Sequence, residues 1–214
     1  MGSILSWDLN DRPDLENRAL QAKKALQAMM PNVFRNPHVS THVKRMLYMA
    51  IPMNLLLWGC ETWALKESDW NILRVFHTSS IRRIFNLSMA EVQENRIRNV
   101  DLYPMFEIDP IDNIVASRQL RWLGKIAMMK ETRLPRKFIN AWHPNPRPVG
   151  RPLTTIRHTY LRALKLIDEL DESDSAGKLD GWMRTIRLNP PDWETRRLAL
   201  TPHIIGFQSP TNIE

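Results

Sequence analysis

The apolar residues of this chain recur mostly three or four positions apart, which is the spacing of one face of an α-helix. Asp11 is a suitable N-cap, Pro13 suits the first turn of a helix, and Pro31 is expected to stop that helix. The inward face of this helix is predicted to comprise Leu15, Ala19, Ala22, Leu26 and Met29. Strand-like residues are confined to a short β-like segment at 3–7. The pattern therefore predicts a mostly α-helical chain.

A second helix is predicted from about Ser40, and Pro52 should bend or end it because proline removes a backbone donor. Its apolar stripe is predicted to comprise Val43, Met46, Leu47, Ala50 and Ile51. Residues 55–58 are apolar on every face and are therefore expected in the middle of the core. Gly59 follows them as a natural break in the chain.

Further helices are predicted at 68–85, at 90–100 with weaker periodicity, at 111–129 and at 154–170. Ser68 is expected to cap the first of these, and Asp109 before Pro110 repeats the cap-plus-proline start. Residues 135–152 contain five prolines and are expected to form an extended connector. The chain is therefore predicted to be a helical bundle with a proline-rich basic connector and an irregular C-terminal tail.

Four segments follow from this pattern. A short strand-like start is followed by a helical domain, then by a basic helix, connector and helix, and finally by an acidic, proline-broken tail. The boundaries are 1–10, 11–107, 108–165 and 166–214.

Composition places the 214-residue chain among soluble globular proteins, with 43% hydrophobic and 25% charged residues. Its single cysteine, Cys60, excludes an internal disulfide framework and any multi-cysteine metal site. Trp7, Asp8 and Asp11 fall where a secretory signal would need its apolar core, so no such signal is expected. The apolar run at 46–60 is too short to cross a bilayer. We therefore expect an intracellular protein, nuclear or cytoplasmic, that does not contact a membrane.

Positive charge is concentrated in one stretch of the chain. Between Arg118 and Lys165 there are 12 Lys and Arg residues and a single acid, Glu131. The segment from Asp168 to Asp180 then contains six acids and one lysine. A basic block this dense favours nucleic acid or another polyanion as partner, although a helical domain with an uneven surface remains the alternative.

Catalytic and metal-binding patterns are missing from the sequence. It contains no glycine-rich phosphate loop, no H-E-x-x-H, no G-x-S-x-G and no two adjacent aspartates. His38 and His42 lack an evident third ligand for a metal, and Cys60 is expected to be a buried thiol rather than a nucleophile. We therefore expect no catalytic residue, no metal and no cofactor.

Ordered blocks of residues form a second pattern, which spans about residues 2–165. The blocks are Gly2–Ser6, Arg18–Leu26, Lys44–Tyr48, Pro52, Leu56–Trp63, Leu73–Ile84, Arg118–Gly124, Met129, Arg133–Pro135 and Gly150–Pro152. In this order and spacing they resemble the thumb and C-terminal tail of reverse transcriptases from non-LTR (LINE-type) retrotransposons. The most specific blocks are the Glu61-Thr62-Trp63 triplet and the Arg-Trp-x-Gly block that ends at Gly124.

The resemblance implies a part of an RNA-directed DNA polymerase without its catalytic palm, which holds the paired aspartates. Met1 stands where the family has a leucine before Gly2, so we expect a chain truncated before the palm and inactive alone. The palm of a full-length relative would be a partner. Lys125 replaces the histidine that usually follows Gly124, and residues 166–214 match no part of the family, so the resemblance assigns neither of them a role.

A polymerase thumb contacts phosphates rather than bases because it must tolerate any sequence. The expected partner is therefore an RNA or DNA duplex or another nucleic acid. Candidate contacts in the thumb-like part are Lys23, Lys24, Lys44, Arg45, Arg82 and Arg83. Candidate contacts in the tail are Arg118, Arg121, Lys125, Arg136, Lys137, Arg147, Arg151 and Arg157.

The tryptophans divide into two predicted groups. Predicted core anchors are Trp58, Trp63, Trp70 and Trp122, whereas Trp142 and His143 are candidates for stacking on bases.

Two other functions stay open. The chain could be the C-terminal piece of a complete polymerase, or a helical module that contacts a protein or polyanion without nucleic-acid specificity.

Overall fold

The computed structural model describes residues 4, 6–7, 11–139, 156–167 and 178–203, and most of these residues are helical. The α-helices are α1 (Arg12–Met29), α2 (Thr41–Ala50), α3 (Pro52–Leu56), α4 (Glu67–Ile84), α5 (Met89–Glu94), α6 (Leu102–Phe106), α7 (Ile111–Met128), α8 (Leu134–Ile139), α9 (Ile156–Lys165), α10 (Lys178–Leu188) and α11 (Pro190–Ala199). None of the residues in the described ranges lies in a strand, including Ile4, Ser6 and Trp7 of the β-like start. The prediction of a mostly α-helical bundle is confirmed.

The chain divides into two compact units. The first unit comprises Met1–Trp58, Leu65–Asp112 and Pro202–Glu214. The second comprises Gly59–Ala64 and Asn113–Thr201. No helix in the described ranges combines the length and the hydropathy that crossing a bilayer requires.

In the first unit, α1 packs against α3 and α4, and α2 packs against α3. The predicted inward face of α1 is confirmed at Leu15, Ala22 and Leu26, which are buried. The α-helix ends at Met29, but the chain continues in a π-helical turn over Met30–Phe34. Pro31 has no amide hydrogen to donate back to the preceding turn, and the next turn is closed instead by the bond from the Arg35 amide to the Met30 carbonyl at 2.9 Å. Pro31 therefore ends the α-helix without ending the helical path.

The predicted inward stripe of α2 is wrong. Val43, Met46 and Ile51 are exposed, and Tyr48 is the buried residue of this helix. The helix begins where it was predicted, because the Ser40 side chain accepts a hydrogen bond from the amide of Val43 at 3.4 Å. Burial of the tyrosine, which has a polar partner in the core, sets the rotation of the helix. Its aliphatic side chains are left outside.

The partner of Tyr48 is His77, a fully buried residue of α4. The Tyr48 hydroxyl lies 2.9 Å from His77 Nδ1, and His77 Nε2 lies 3.0 Å from the carbonyl oxygen of Asp109. A carbonyl oxygen only accepts, so Nε2 carries the proton and Nδ1 accepts from the hydroxyl. Tyr103 also stacks on the imidazole, with ring centroids 5.9 Å apart. Burial lowers the pKa of His77 to about 4.

The start of α4 differs from its predicted start at Ser68. The N-cap is Lys66, whose backbone is extended and whose amide donates to Asp69 Oδ2 at 3.3 Å. This bond is the second half of a capping box, in which an acid three residues into the helix accepts from the cap residue. The residue that marks the start of α4 in the sequence is therefore Asp69 and not Ser68. The predicted inward residues Trp70, Leu73 and Ile81 are buried.

Trp58 is not a core anchor as predicted, since it is 70% exposed. Leu56 and Leu57 before it are fully buried, and α3 ends at Leu56. Gly59 then adopts a left-handed conformation with φ of 78°, which confirms the predicted break. The apolar run is therefore buried at Leu56 and Leu57 and exposed at its last residue, Trp58, just before this break.

In the second unit, α7 is confirmed over most of its predicted length and supplies much of the core. Tyr160 and Leu164 of α9 are buried in the same cluster, as their register predicts. Residues 134–139 form α8 rather than part of an extended connector. Pro135 lies in its first turn, where proline is tolerated. The remainder of the predicted connector, 140–152, lies outside the described residues.

The tail is not irregular as predicted, because α10 and α11 lie within it. Met183 and Ile186 of α10 and Trp193 of α11 are buried in the core of the second unit. Two prolines occupy the first turn of α11, and the side chain of Asn189 caps it by accepting from the amide of Asp192 at 3.3 Å. These prolines begin a helix instead of breaking one.

The buried histidine makes stability depend on pH. The unfolded His77 binds a proton near its ordinary pKa of 6.5, whereas the folded residue does so only near 4. The free energy of unfolding should therefore fall as pH decreases from 6.5 to 4, by up to about 1.4 kcal/mol per pH unit. Urea unfolding at a series of pH values measures this slope.

The matched variant is His77→Gln, which removes the titrating group. We expect a less stable protein whose unfolding free energy depends less on pH between 6.5 and 5. An identical slope in the variant and the wild type would show that other groups cause the dependence.

Candidate nucleic-acid interface

Helix α7 carries the densest group of the predicted contacts, and its packing decides which of them are accessible. From Arg118 to the end of the helix at Met128, only Arg121, Lys125 and Met128 are exposed, and Arg118 and Trp122 are half-buried. Positions three, four and seven apart lie on one face of a helix. Arg118, Arg121 and Lys125 therefore form one basic face, which we call the α7 basic face.

A short 3₁₀ turn at Cys60–Thr62 lies beside this face. Its backbone is held by two hydrogen bonds: Gln119 donates to the carbonyl of Cys60, and the Tyr160 hydroxyl donates to the carbonyl of Glu61, both at 3.1 Å. Gln119 is buried and lies on the side of α7 that points into the second unit. The turn is thereby fixed relative to α7.

The turn and the helix together line an open depression. Its lining residues are Glu61, Thr62, Arg118, Arg121, Trp122 and Lys125. Three cations and one carboxylate give the lining a formal charge of +2. The depression therefore attracts anions.

Cys60 behaves as the sequence predicts, as a buried thiol. Burial raises its pKa to about 12, and the neighbouring Arg118 lowers it only in part. The thiol therefore stays protonated and unreactive at neutral pH. Arg118 is half-buried and also lines the depression.

A second depression borders the other side of Arg121 and Lys125. Its lining is mostly apolar and includes Met128, Met129, Ile186, Pro190 and Trp193. Glu194 also lines it, and the pKa of that carboxylate is lowered mainly by hydrogen bonding to Arg197, with a smaller contribution from the charge of Arg121.

Gly124 explains how α11 approaches α7 so closely. A Cβ atom at this position would lie 2.8 Å from Nε1 of the buried Trp193. Only glycine leaves room for the indole here. In the Arg-Trp-x-Gly block, Arg121 and Trp122 therefore line the depression, whereas Gly124 is needed for the packing of α11. The sequence analysis did not identify Trp193 as the partner of this glycine.

The other predicted contacts of the second unit are dispersed or lie outside the described residues. Lys137 is exposed on α8 and Arg157 is half-buried on α9. Arg136 is buried and its guanidinium contacts the sulfur of Met183, so we leave it out of the interface. Arg147, Arg151, Trp142 and His143 fall in the part of the chain that the structure does not describe.

In the first unit, the predicted contacts are of two kinds. Lys23, Lys24 and Arg83 are exposed and Lys44 is half-buried. Arg45 instead pairs with the Glu107 carboxylate, and Arg82 donates to the side chain of Asn99. These two arginines hold segments of the first unit together.

Among the residues with described side chains, no three His, Cys, Asp or Glu come together to hold a metal ion.

Similarity to other proteins points to mobile DNA. An uncharacterized transposon-derived protein of Caenorhabditis elegans is 27% identical to this chain over 150 residues. The matched region is 69% of this chain and 51% of that protein, so the chain spans about half the length of this relative. No protein-family model and no solved structure matches the chain. The likeness supports a transposon-related origin.

The close approach of α7 and α11 can be tested with alanine. Alanine ordinarily stabilises a helix by about 1 kcal/mol over glycine. Gly124→Ala should instead destabilise the protein by about 1–3 kcal/mol, because the indole of Trp193 has to move. Thermal or urea unfolding measures the difference.

Gly181→Ala is the control, because Gly181 also lies within a helix but a Cβ added there would have no neighbouring atom within 4 Å. This variant should be as stable as the wild type or more so. Equal stability of the two variants would contradict the packing described for Gly124.

Proposed function

We propose that this chain is the nucleic-acid-binding thumb and C-terminal part of a retrotransposon RNA-directed DNA polymerase. Three observations support the proposal: the ordered sequence blocks, the helical fold and the transposon-derived relative. The two most specific blocks, at 61–63 and 118–124, contribute to one depression although they are far apart in sequence. Motifs that line one surface together are more readily explained by a shared function than by chance.

The observation that carries the proposal is the α7 basic face. Arg121 and Lys125 are exposed while most of the helix around them is buried. Arginine and lysine on a rigid helix suit contacts with a phosphate backbone, which give affinity without sequence preference. A polymerase thumb has to hold primer and template of any sequence. The face therefore has the chemistry that this function needs.

Nucleotide transfer is not part of the proposed function. Polymerisation needs carboxylates that hold two divalent ions about 4 Å apart. The sequence has no two adjacent aspartates, and the resemblance places that pair in the palm. We propose that any catalysis belongs to a palm in a full-length relative and that this part contributes binding.

The salt dependence of binding tests the function. Each duplex phosphate that the protein neutralises releases counterions and adds about 0.9 to the slope of log K against log salt. Changing both Arg121 and Lys125 to Gln should therefore make the slope for a DNA duplex or an RNA–DNA hybrid shallower by about 2. Fluorescence anisotropy over a range of salt concentrations measures it.

The control carries the same loss of charge elsewhere in the second unit. Lys130 and Arg184 are both exposed and lie outside the depression, so changing both to Gln should leave the slope nearly unchanged. Equal effects of the two double variants would contradict a specific face. If heparin competes as well as nucleic acid does, the function is instead that of a general polyanion-binding module.

A further inference from the structure

Trp122 differs from the other described tryptophans in its surroundings. Part of its indole packs against the core of the second unit, and part of it lines the depression next to the cations. Trp63, Trp70 and Trp193 are buried. Trp182 is half-buried against the same core but does not line the depression.

Helical spacing places cations on both sides of this indole. Arg118 is four residues before Trp122 and Lys125 is three residues after it, so both are its neighbours on the surface of α7. Arg121 is four residues before Lys125 and shares its side of the depression. An aromatic surface next to two exposed cations matches the two parts of a nucleotide, which are a flat base and a phosphate.

We propose that the depression binds one unpaired nucleotide, with its base against the Trp122 indole and its phosphate at Arg121 and Lys125. This inference rests on the proposed function and extends it. A base inside a continuous duplex is stacked on its neighbours and cannot reach a side chain on the surface. The site therefore prefers a single strand, or a single-stranded end, to an uninterrupted duplex.

The remaining side chains fit a single nucleotide. The formal charge of +2 suits one phosphate rather than several. Arg121 and Lys125 are the exposed cations of the lining, whereas Arg118 is half-buried, so the phosphate is assigned to Arg121 and Lys125. Glu61 also lines the depression, and its carboxylate can accept a hydrogen bond from a base amino group.

The experiment compares three DNA probes by fluorescence anisotropy. They are a short single strand, the same strand with abasic sites at its central positions, and the continuous duplex. The abasic strand keeps its phosphates but has no central bases. The wild type is expected to bind the intact strand about tenfold more tightly than the abasic strand, since stacking on an aromatic side chain contributes this much per base.

Variants then assign the preference to one residue. Trp122→Leu should lose the preference for the intact strand, whereas Trp122→Phe, which keeps an aromatic ring, should retain part of it. Trp182→Leu is the matched control and should keep the wild-type ratio. Melting curves accompany each variant, and if Trp122→Leu does not fold, the wild-type ratio and Trp122→Phe decide the question.

Failure of this inference is distinguishable from failure of the proposed function. Equal affinity of the wild type for the intact and abasic strands, with salt-dependent binding to both, would overturn the inference and leave the function standing. A folded Trp122→Leu variant with an unchanged ratio would also overturn it. Absence of binding to all three probes would contradict the proposed function itself.

Discussion

Burial of α7 is the constraint on which the second unit depends. Its side chains at 114–117, 119–120, 123 and 126–127 are buried, so only a narrow strip of its last turns reaches the surface. A cation buried without a partner costs several kcal/mol, so the charged residues of this helix have to lie in the strip or be paired. Arg121 and Lys125 lie in it, with Met128 beyond them. The position of the basic face is therefore a consequence of packing.

The same packing determines what lies beside the strip. Gln119 points inward and holds the carbonyl of Cys60, while Tyr160 of α9 holds that of Glu61. Trp193 of α11 closes on α7 at Gly124. The Cys60–Thr62 turn, α9 and α11 thus determine the shape of the surface beside the α7 basic face. Gln119, Tyr160 and Trp193 do so through contacts within the second unit. Helices α10 and α11 of the tail contribute Met183, Ile186 and Trp193 to the core of the second unit. This part of the chain matches no block of the family resemblance.

Much of the fold could be predicted because most helices bury a regular apolar stripe, as α1 and α7 do. The predictions of burial were wrong where a single interaction, rather than the periodic apolar pattern, determines which side chains are buried. The Tyr48–His77 hydrogen bond rotates α2 away from its aliphatic stripe, and Trp58 is exposed after the end of α3, just before Gly59 adopts a left-handed conformation. Arg136 was indistinguishable from Lys137 by residue type, yet only tertiary packing buries it. Thr62 lies beside the α7 basic face because of contacts between residues far apart in sequence, and the spacing of apolar residues cannot predict such contacts.

Whether the α7 basic face binds nucleic acid is tested most directly by the reactivity of its lysine. Lys125 lies in the depression, whereas Lys130 is exposed just beyond the end of α7. Acetylation followed by mass spectrometry, with and without saturating single-stranded DNA, reports the two residues in the same sample. We expect bound DNA to slow the acetylation of Lys125 and to leave that of Lys130 unchanged. Acetylation of Lys125 at the same rate in both samples would contradict the assignment of this face as the binding surface.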